Sequence, residues 1–117
     1  MAYALLIIEP VGQRRTRTES EGRALYESML RFGADLKNRG LLTISQSLKT
    51  DASAARVHVR DSQPIVVDGP FAESKEVVGG FFLLTCETRE QAIAIAGECP
   101  AAQWATVEVR EFGPCFE

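Results

Sequence analysis

The chain has a single histidine, His58, and that scarcity removes the commonest catalytic and metal-binding constellations. No second imidazole exists to complete a histidine-based metal site, and the carboxylates have no spacing that recommends a hard-cation cage, so no metal or other bound cofactor is expected. Three cysteines, Cys86, Cys99 and Cys115, stand far apart. An odd number at that spacing makes neither a disulfide framework nor a CxxC zinc site, and reduced thiols in a cytoplasmic protein are the simpler reading. There is no glycine-rich phosphate loop, and Ser20, Ser45 and the cysteines lack a nucleophile-elbow context, which leaves hydrolase chemistry without support. Long hydrophobic runs are missing as well. The apolar stretch near the N-terminus stops after about six residues at Glu9-Pro10, too short for a membrane span or a secretion-signal core, and no basic leader accompanies it.

Excess positive charge is also lacking: 13 Lys and Arg stand against 16 Asp and Glu, for a formal net charge of −3. The one basic concentration, Arg14-Arg15-Thr16-Arg17, could contact an anion, but the acidic balance leaves no nucleic-acid footprint. What remains is ordinary globular composition, with 45% hydrophobic and 25% charged residues in 117 positions. That length buries one core, so a single domain over residues 1–117 is expected.

Taken in order, Tyr3 to Glu9 is a short apolar run with the length of a strand covered on both faces. Thr18 and Glu21 have the form of a capping box, and the helix they open carries Leu25, Met29, Phe32 and Leu36 at helical spacing until Gly40 closes it. Leu41 to Leu48 follows as a strand. Lys49 to Ala54 is a polar turn, and Arg56 to Arg60 with Ile65 to Val67 make a β-hairpin about the turn Asp61-Ser62-Gln63-Pro64. Gly79 to Cys86 is again apolar on both faces. Thr88 caps a second helix that Pro100 ends, and Trp104 to Phe112 closes the chain as a strand with Ala105, Val107 and Val109 opposite Thr106, Glu108 and Arg110.

Strand, helix, strand, inserted hairpin, strand, helix, strand is the order of an α+β, ferredoxin-like antiparallel sheet with two helices on one face. Two helices cover one face only, yet two of the strands are apolar on both. The simplest cover for the second face is another copy of the chain about a two-fold axis, a homodimer.

Between hairpin and apolar strand lies Asp68-Gly69-Pro70-Phe71-Ala72-Glu73-Ser74-Lys75-Glu76. This DGPFAESKE run, with the Gly-Gly-aromatic strand after it and the closing Ala-Thr-Val-Glu-Val-Arg strand, resembles the DGPF branch of the YCII-related proteins over essentially the whole chain. The resemblance implies a dimeric α+β barrel. It implies little about activity: some YCII-related relatives are proposed to use a His-Asp pair as an acid/base centre, and one acts in the breakdown of chlorinated aromatics. Of the motif, Asp68 is the matching position that carries over; the lone histidine lies in the inserted hairpin.

Each candidate has two readings. Asp68 is a proton-transfer group if it lines a cavity, where desolvation raises its pKa and Lys75 opposes the rise, or else an Asx-turn carboxylate. Gly69, Pro70 and Phe71 are structural, with Phe71 plugging the core. Glu73 and Lys75 are ligand-binding or simply paired on a solvated turn, and Glu76 is solvated. His58 shares a face with Arg56 and Arg60 and is a surface or hydrogen-bonded structural group, or else a general base. Glu108 and Arg110 orient a ligand at a dimer interior or form an interface salt bridge, while Tyr3 and Trp104 pack. Two functions follow: a homodimeric, cofactor-independent enzyme doing acid/base chemistry of the elimination, isomerisation or dehalogenation type, or a non-catalytic metabolite- or protein-binding regulatory module.

Overall fold

Strands with apolar residues on both sides take the middle of a sheet, and β1 (Tyr3–Pro10) and β5 (Glu76–Leu84) do so here. The computed structural model describes residues 2–116. Its four-stranded sheet has the order β2-β5-β1-β6, with β2 spanning Leu42–Ser47 and β6 spanning Thr106–Glu111. All three pairings are antiparallel. This is the strand order of a ferredoxin-like sheet, and it follows from two β-α-β passages in sequence.

Alternation along the strands decides what each face meets. Tyr3, Leu5 and Ile7 of β1 and Phe82 and Leu84 of β5 are buried in one core. The helices complete it: Phe32 and Leu36 from α1 (Glu19–Asn38), and Ala92, Ile95 and Ala96 from α2 (Arg89–Glu98). Both helices therefore lie on one face. The rings of Phe32 and Phe82 meet edge to face with centroids 5.2 Å apart, a favoured aromatic geometry worth about 1 kcal/mol beyond the area it buries. Burial also pushes the Cys86 and Cys99 thiols up, whereas Cys115 is exposed.

Local signals set the helix ends. Thr18 accepts from the Glu21 amide, and the Glu21 carboxylate accepts from the Thr18 amide at 2.8 Å, the reciprocal pair of a capping box. At the other end Gly40 is left-handed (φ 72), its amide donates to the Lys37 carbonyl, and the Leu41 amide donates to the Leu36 carbonyl. Those two bonds are the Schellman pair, which satisfies carbonyls the helix would otherwise leave open. Arg39 then ties the helices together, donating to Asp35 and Glu98 at 3.1 Å each.

The sequence reading of two boundaries needs correction. The hairpin of β3 (Ala55–Arg60) and β4 (Gln63–Asp68) turns on two residues, Asp61 and Ser62, both at positive φ, so Gln63 and Pro64 belong to β4. A two-residue turn of that hand matches the twist of a β-ribbon, which a four-residue turn was not needed to provide. Strand β5 starts at Glu76 because Glu76 and Val77 pair with Pro10 and Glu9 of β1, and it stops at Leu84. The last part of the DGPFAESKE run is thus strand. The hairpin itself forms a separate two-stranded sheet, and every residue of its strands is exposed.

The capping box generates a pH test. Hydrogen bonding to Thr18, through the backbone amide first, holds the Glu21 carboxyl below its ordinary value. A depressed folded-state value means the contribution is present above the unfolded carboxylate range and is lost as pH falls through the lower folded value. The melting-temperature gap between the wild type and Glu21→Gln is expected to close as pH is lowered through that range. A gap that stays constant would contradict the assignment.

Candidate functional site

Glu9 is a carboxylate at the end of an apolar central strand, and it is only 8% exposed. A buried carboxylate must be paired and hydrogen-bonded to be tolerated there. Its partner is Arg14, five residues on. After β1 the chain turns through left-handed Gly12 into one 3-10 turn over Gln13–Thr16, which brings Arg14 back above the strand end. The guanidinium then grips both carboxylate oxygens: Nε donates to Oε2 at 3.0 Å and NH2 to Oε1 at 2.7 Å. Further bonds run to the Gly79 carbonyl at 3.1 Å and, from NH1, to the Leu48 carbonyl at 2.7 Å.

Room for this pair comes from β5. Between Ile7 and Ile8 the β1–β5 register shifts, Gly80 pairing with Ile7 and Val78 with Ile8, so Gly79 is the extra residue of a β-bulge. A Cβ on Gly79 would overlap the Glu9 carboxylate and crowd Arg14 NH2 at 2.8 Å. The glycine is there because the charge pair occupies the place of a side chain.

Above this floor, the N-terminal half of α1 stands off the sheet and leaves a cavity of about 410 Å³. Such a volume falls at the lower end of the range that holds small organic ligands, roughly 300–1,000 Å³. Ile7, Leu25, Met29 and Phe82 give it an apolar wall, Ser45 and Ser47 of β2 a polar one, and Glu9, Arg14, Arg17 and Glu19 the charged groups. Tyr26 and Leu30 of α1 line it while remaining 52% and 53% exposed. Trp104 also lines it, with the Arg17 guanidinium 5.9 Å from its ring centroid. The arrangement can enclose an organic molecule and offer it charge at one end.

Of the residues singled out from sequence, Arg14 and Arg17 of the basic cluster and Trp104 line this cavity, whereas Asp68, His58, Glu73, Lys75, Glu108 and Arg110 lie elsewhere. Asp68 is the last residue of β4 and exposed. Its ladder partner is Ala55, whereas His58 pairs with Ile65, so alternation points Asp68 and His58 to opposite faces of the hairpin. Glu73 meets Arg56 at 3.6 Å. Lys75 is exposed, and its carbonyl accepts from the Val11 amide at 2.9 Å. Glu108 and Arg110 pair with each other at 3.3 Å on β6, opposite Leu6 and Ala4 and so on the helix-free side.

Gly69, Pro70 and Phe71 sit against a residue that sequence reasoning passed over. Asp51, in the turn before the hairpin, is 5% exposed and accepts from the Phe71 amide at 3.1 Å. The Gly69 amide donates to the Ala54 carbonyl at 2.7 Å, and a Cβ on Gly69 would run into the Asp51 carbonyl. The Gly69–Pro70 bond is cis, and Phe71 is buried beneath the Arg56 guanidinium, 3.8 Å from its ring centroid. Phe71 therefore plugs a local pocket of its own, apart from the main core cluster. Glu9 and Arg14 did have a signal: a lone charge inside an apolar strand, with the basic cluster five residues beyond it. Among the described residues no group of histidine, cysteine, aspartate and glutamate could hold a metal ion.

Comparison with known proteins points the same way as the fold. The family model for the YCII-related domain matches residues 1–114. An uncharacterized protein of Rhizobium meliloti (strain 1021) is 26% identical over 106 residues, which is 91% of this chain and 86% of that one.

The floor of the cavity makes a sharp stability prediction. Gly79→Ala must displace the part-buried ion pair, and the chain is expected to lose roughly 2–4 kcal/mol, as for overpacking combined with a disturbed buried carboxylate. Gly97, in α2, has nothing within 4 Å of an added Cβ, so Gly97→Ala should gain up to about 1 kcal/mol. Urea denaturation of the two variants checks both signs.

Proposed function

The chain belongs to the YCII-related domain family, and from that premise we propose that it is a homodimeric small-molecule-binding protein whose ligand occupies the cavity between α1 and the sheet. The observation that carries this reading is the cavity itself, apolar on the α1 side and charged at its floor. The DGPFAESKE run supports membership of the DGPF branch, and the free thiols support a cytoplasmic location.

Binding is favoured over catalysis by the state of Glu9. A cofactor-independent elimination, isomerisation or dehalogenation needs a group that moves a proton at the ligand. Glu9 is the buried carboxylate of the cavity wall, and Arg14 already donates to both of its oxygens. For Asp68 and His58 to act on one ligand, a second protomer has to bring one of them, since a single hairpin turns them apart. Glu73 and Lys75 would then be ligand-binding groups of a shared site, and that is the enzymatic form of the proposal.

The helix-free face supports the homodimer. Leu6, Ile8, Phe81 and Leu83 are half-buried along its middle, and Ile44 and Val78 are exposed beside them. A second sheet laid on this face makes a dimeric α+β barrel, with Glu108 and Arg110 at its margin.

Two measurements test the reading. In an NMR screen of small aromatic and aliphatic acids, amide shifts are expected to cluster at residues 25–30, 45–47, 79–82 and 104; a cluster at residues 56–75 would instead select the hairpin site. In sedimentation velocity, a dimer is expected at micromolar concentration. A stable monomer there would remove the barrel.

A further inference from the structure

Building on the cavity reading, we infer that the ligand is an amphipathic organic monoanion, with its carboxylate on Arg17 and its apolar body between α1 and β5. The inference comes from which charges of the cavity are already matched. Four charged side chains line it: Glu9, Arg14, Arg17 and Glu19. Glu9 and Arg14 cancel, and four of the five N–H groups that a guanidinium possesses are spent in the bonds from Arg14 to Glu9, Gly79 and Leu48. Glu19 pairs with Arg23 at 2.7 Å. Glu21, whose carboxyl feels the Arg17 charge, has its Oε1 committed to the Thr18 amide.

Arg17 is left over. Among the described residues no carboxylate comes within 4.0 Å of it, and its guanidinium makes no side-chain hydrogen bond; its contact is the Trp104 ring. A half-buried arginine held on an aromatic plane with its fork unused is a carboxylate receptor, because the planar fork donates two parallel bonds to a carboxylate. One uncompensated cation selects a monoanion over a dianion. It also disfavours a cationic ligand, since Trp104 already faces a guanidinium.

The rest of the wall sets the body of the molecule. Leu25, Met29 and Phe82 are apolar, and the exposed Tyr26 and Leu30 extend that surface toward solvent. Exposed apolar residues at the edge of a cavity are what an organic ligand would cover. A short acid such as acetate reaches Arg17 but leaves this wall wet. A phenyl group joined to the carboxylate through three methylenes tests both contacts at once.

The test uses 4-phenylbutyrate, its neutral counterpart 4-phenylbutyramide, and acetate, titrated calorimetrically into the wild type, Arg17→Gln and Met29→Trp, each variant first checked for an intact melting transition. On the wild type the carboxylate is expected to bind about tenfold more tightly than the amide, as for one charge-assisted contact, and acetate is expected not to bind. Arg17→Gln should bring the two phenyl probes level, and Met29→Trp, which fills the cavity, should abolish both. Equal affinity of the two on the wild type, or a carboxylate preference that survives Arg17→Gln, overturns the monoanion assignment and leaves the cavity reading in place. Absence of binding by either phenyl probe, or binding unchanged in Met29→Trp, removes the cavity reading and this inference with it.

Discussion

A carboxylate buried against a glycine is the constraint on which this structure turns. Glu9 cannot be left unpaired at the end of β1, so the chain must return Arg14 to it, and the 3-10 turn over Gln13–Thr16 exists in that position to do so. Arg14 then joins three other pieces of chain, because its remaining bonds reach Gly79 on β5 and Leu48 after β2. Gly79 receives a second bond on the same carbonyl, from the Leu48 amide at 2.9 Å. Strand, turn, bulge and loop meet at one ion pair. The same pair makes the cavity floor polar and fixes where Arg17 emerges, three residues after Arg14 and next to Trp104.

The DGPFAESKE run does a different job. Its glycine lets two backbones approach, its phenylalanine fills a pocket, and a buried carboxylate from twenty residues earlier accepts the Phe71 amide. Arg56 from β3 closes over the ring. These contacts fasten the base of the exposed hairpin to the turn over Asp51–Ser53. They account for Gly69 and Phe71 without calling on chemistry, while the charges of the run face solvent.

Much of the fold was legible because it is written in local signals. The capping box at Thr18, the glycine stop at Gly40, the Thr88 cap and the two-faced apolar strands each act over a few residues, and each is where it was expected. The hairpin turn was placed correctly but drawn too long, since only backbone twist tells two turn residues from four. The cavity was not legible. Its walls come from α1, β1, β2, β5 and the segment around Trp104, a convergence that no spacing rule encodes. Asp51 was missed for a related reason: it looks like an ordinary turn aspartate until Phe71 is folded against it. Four ionisable residues crowd the motif of Asp68, whereas Glu9 stands alone in its strand. The isolated charge was the more informative.

The bulge at Gly79 has a consequence for how the two central strands recognise each other. Runs such as Leu5-Leu6-Ile7-Ile8 and Phe81-Phe82-Leu83-Leu84 are so uniformly apolar that sliding one past the other would change little in hydrophobic contact. Side-chain character alone therefore gives these strands a weak address. One alignment, however, brings the bulged Gly79 against the only carboxylate in β1 and lets Arg14 hold both. The charge and the missing side chain work as key and notch, and they give an otherwise featureless pair of strands a single way to meet.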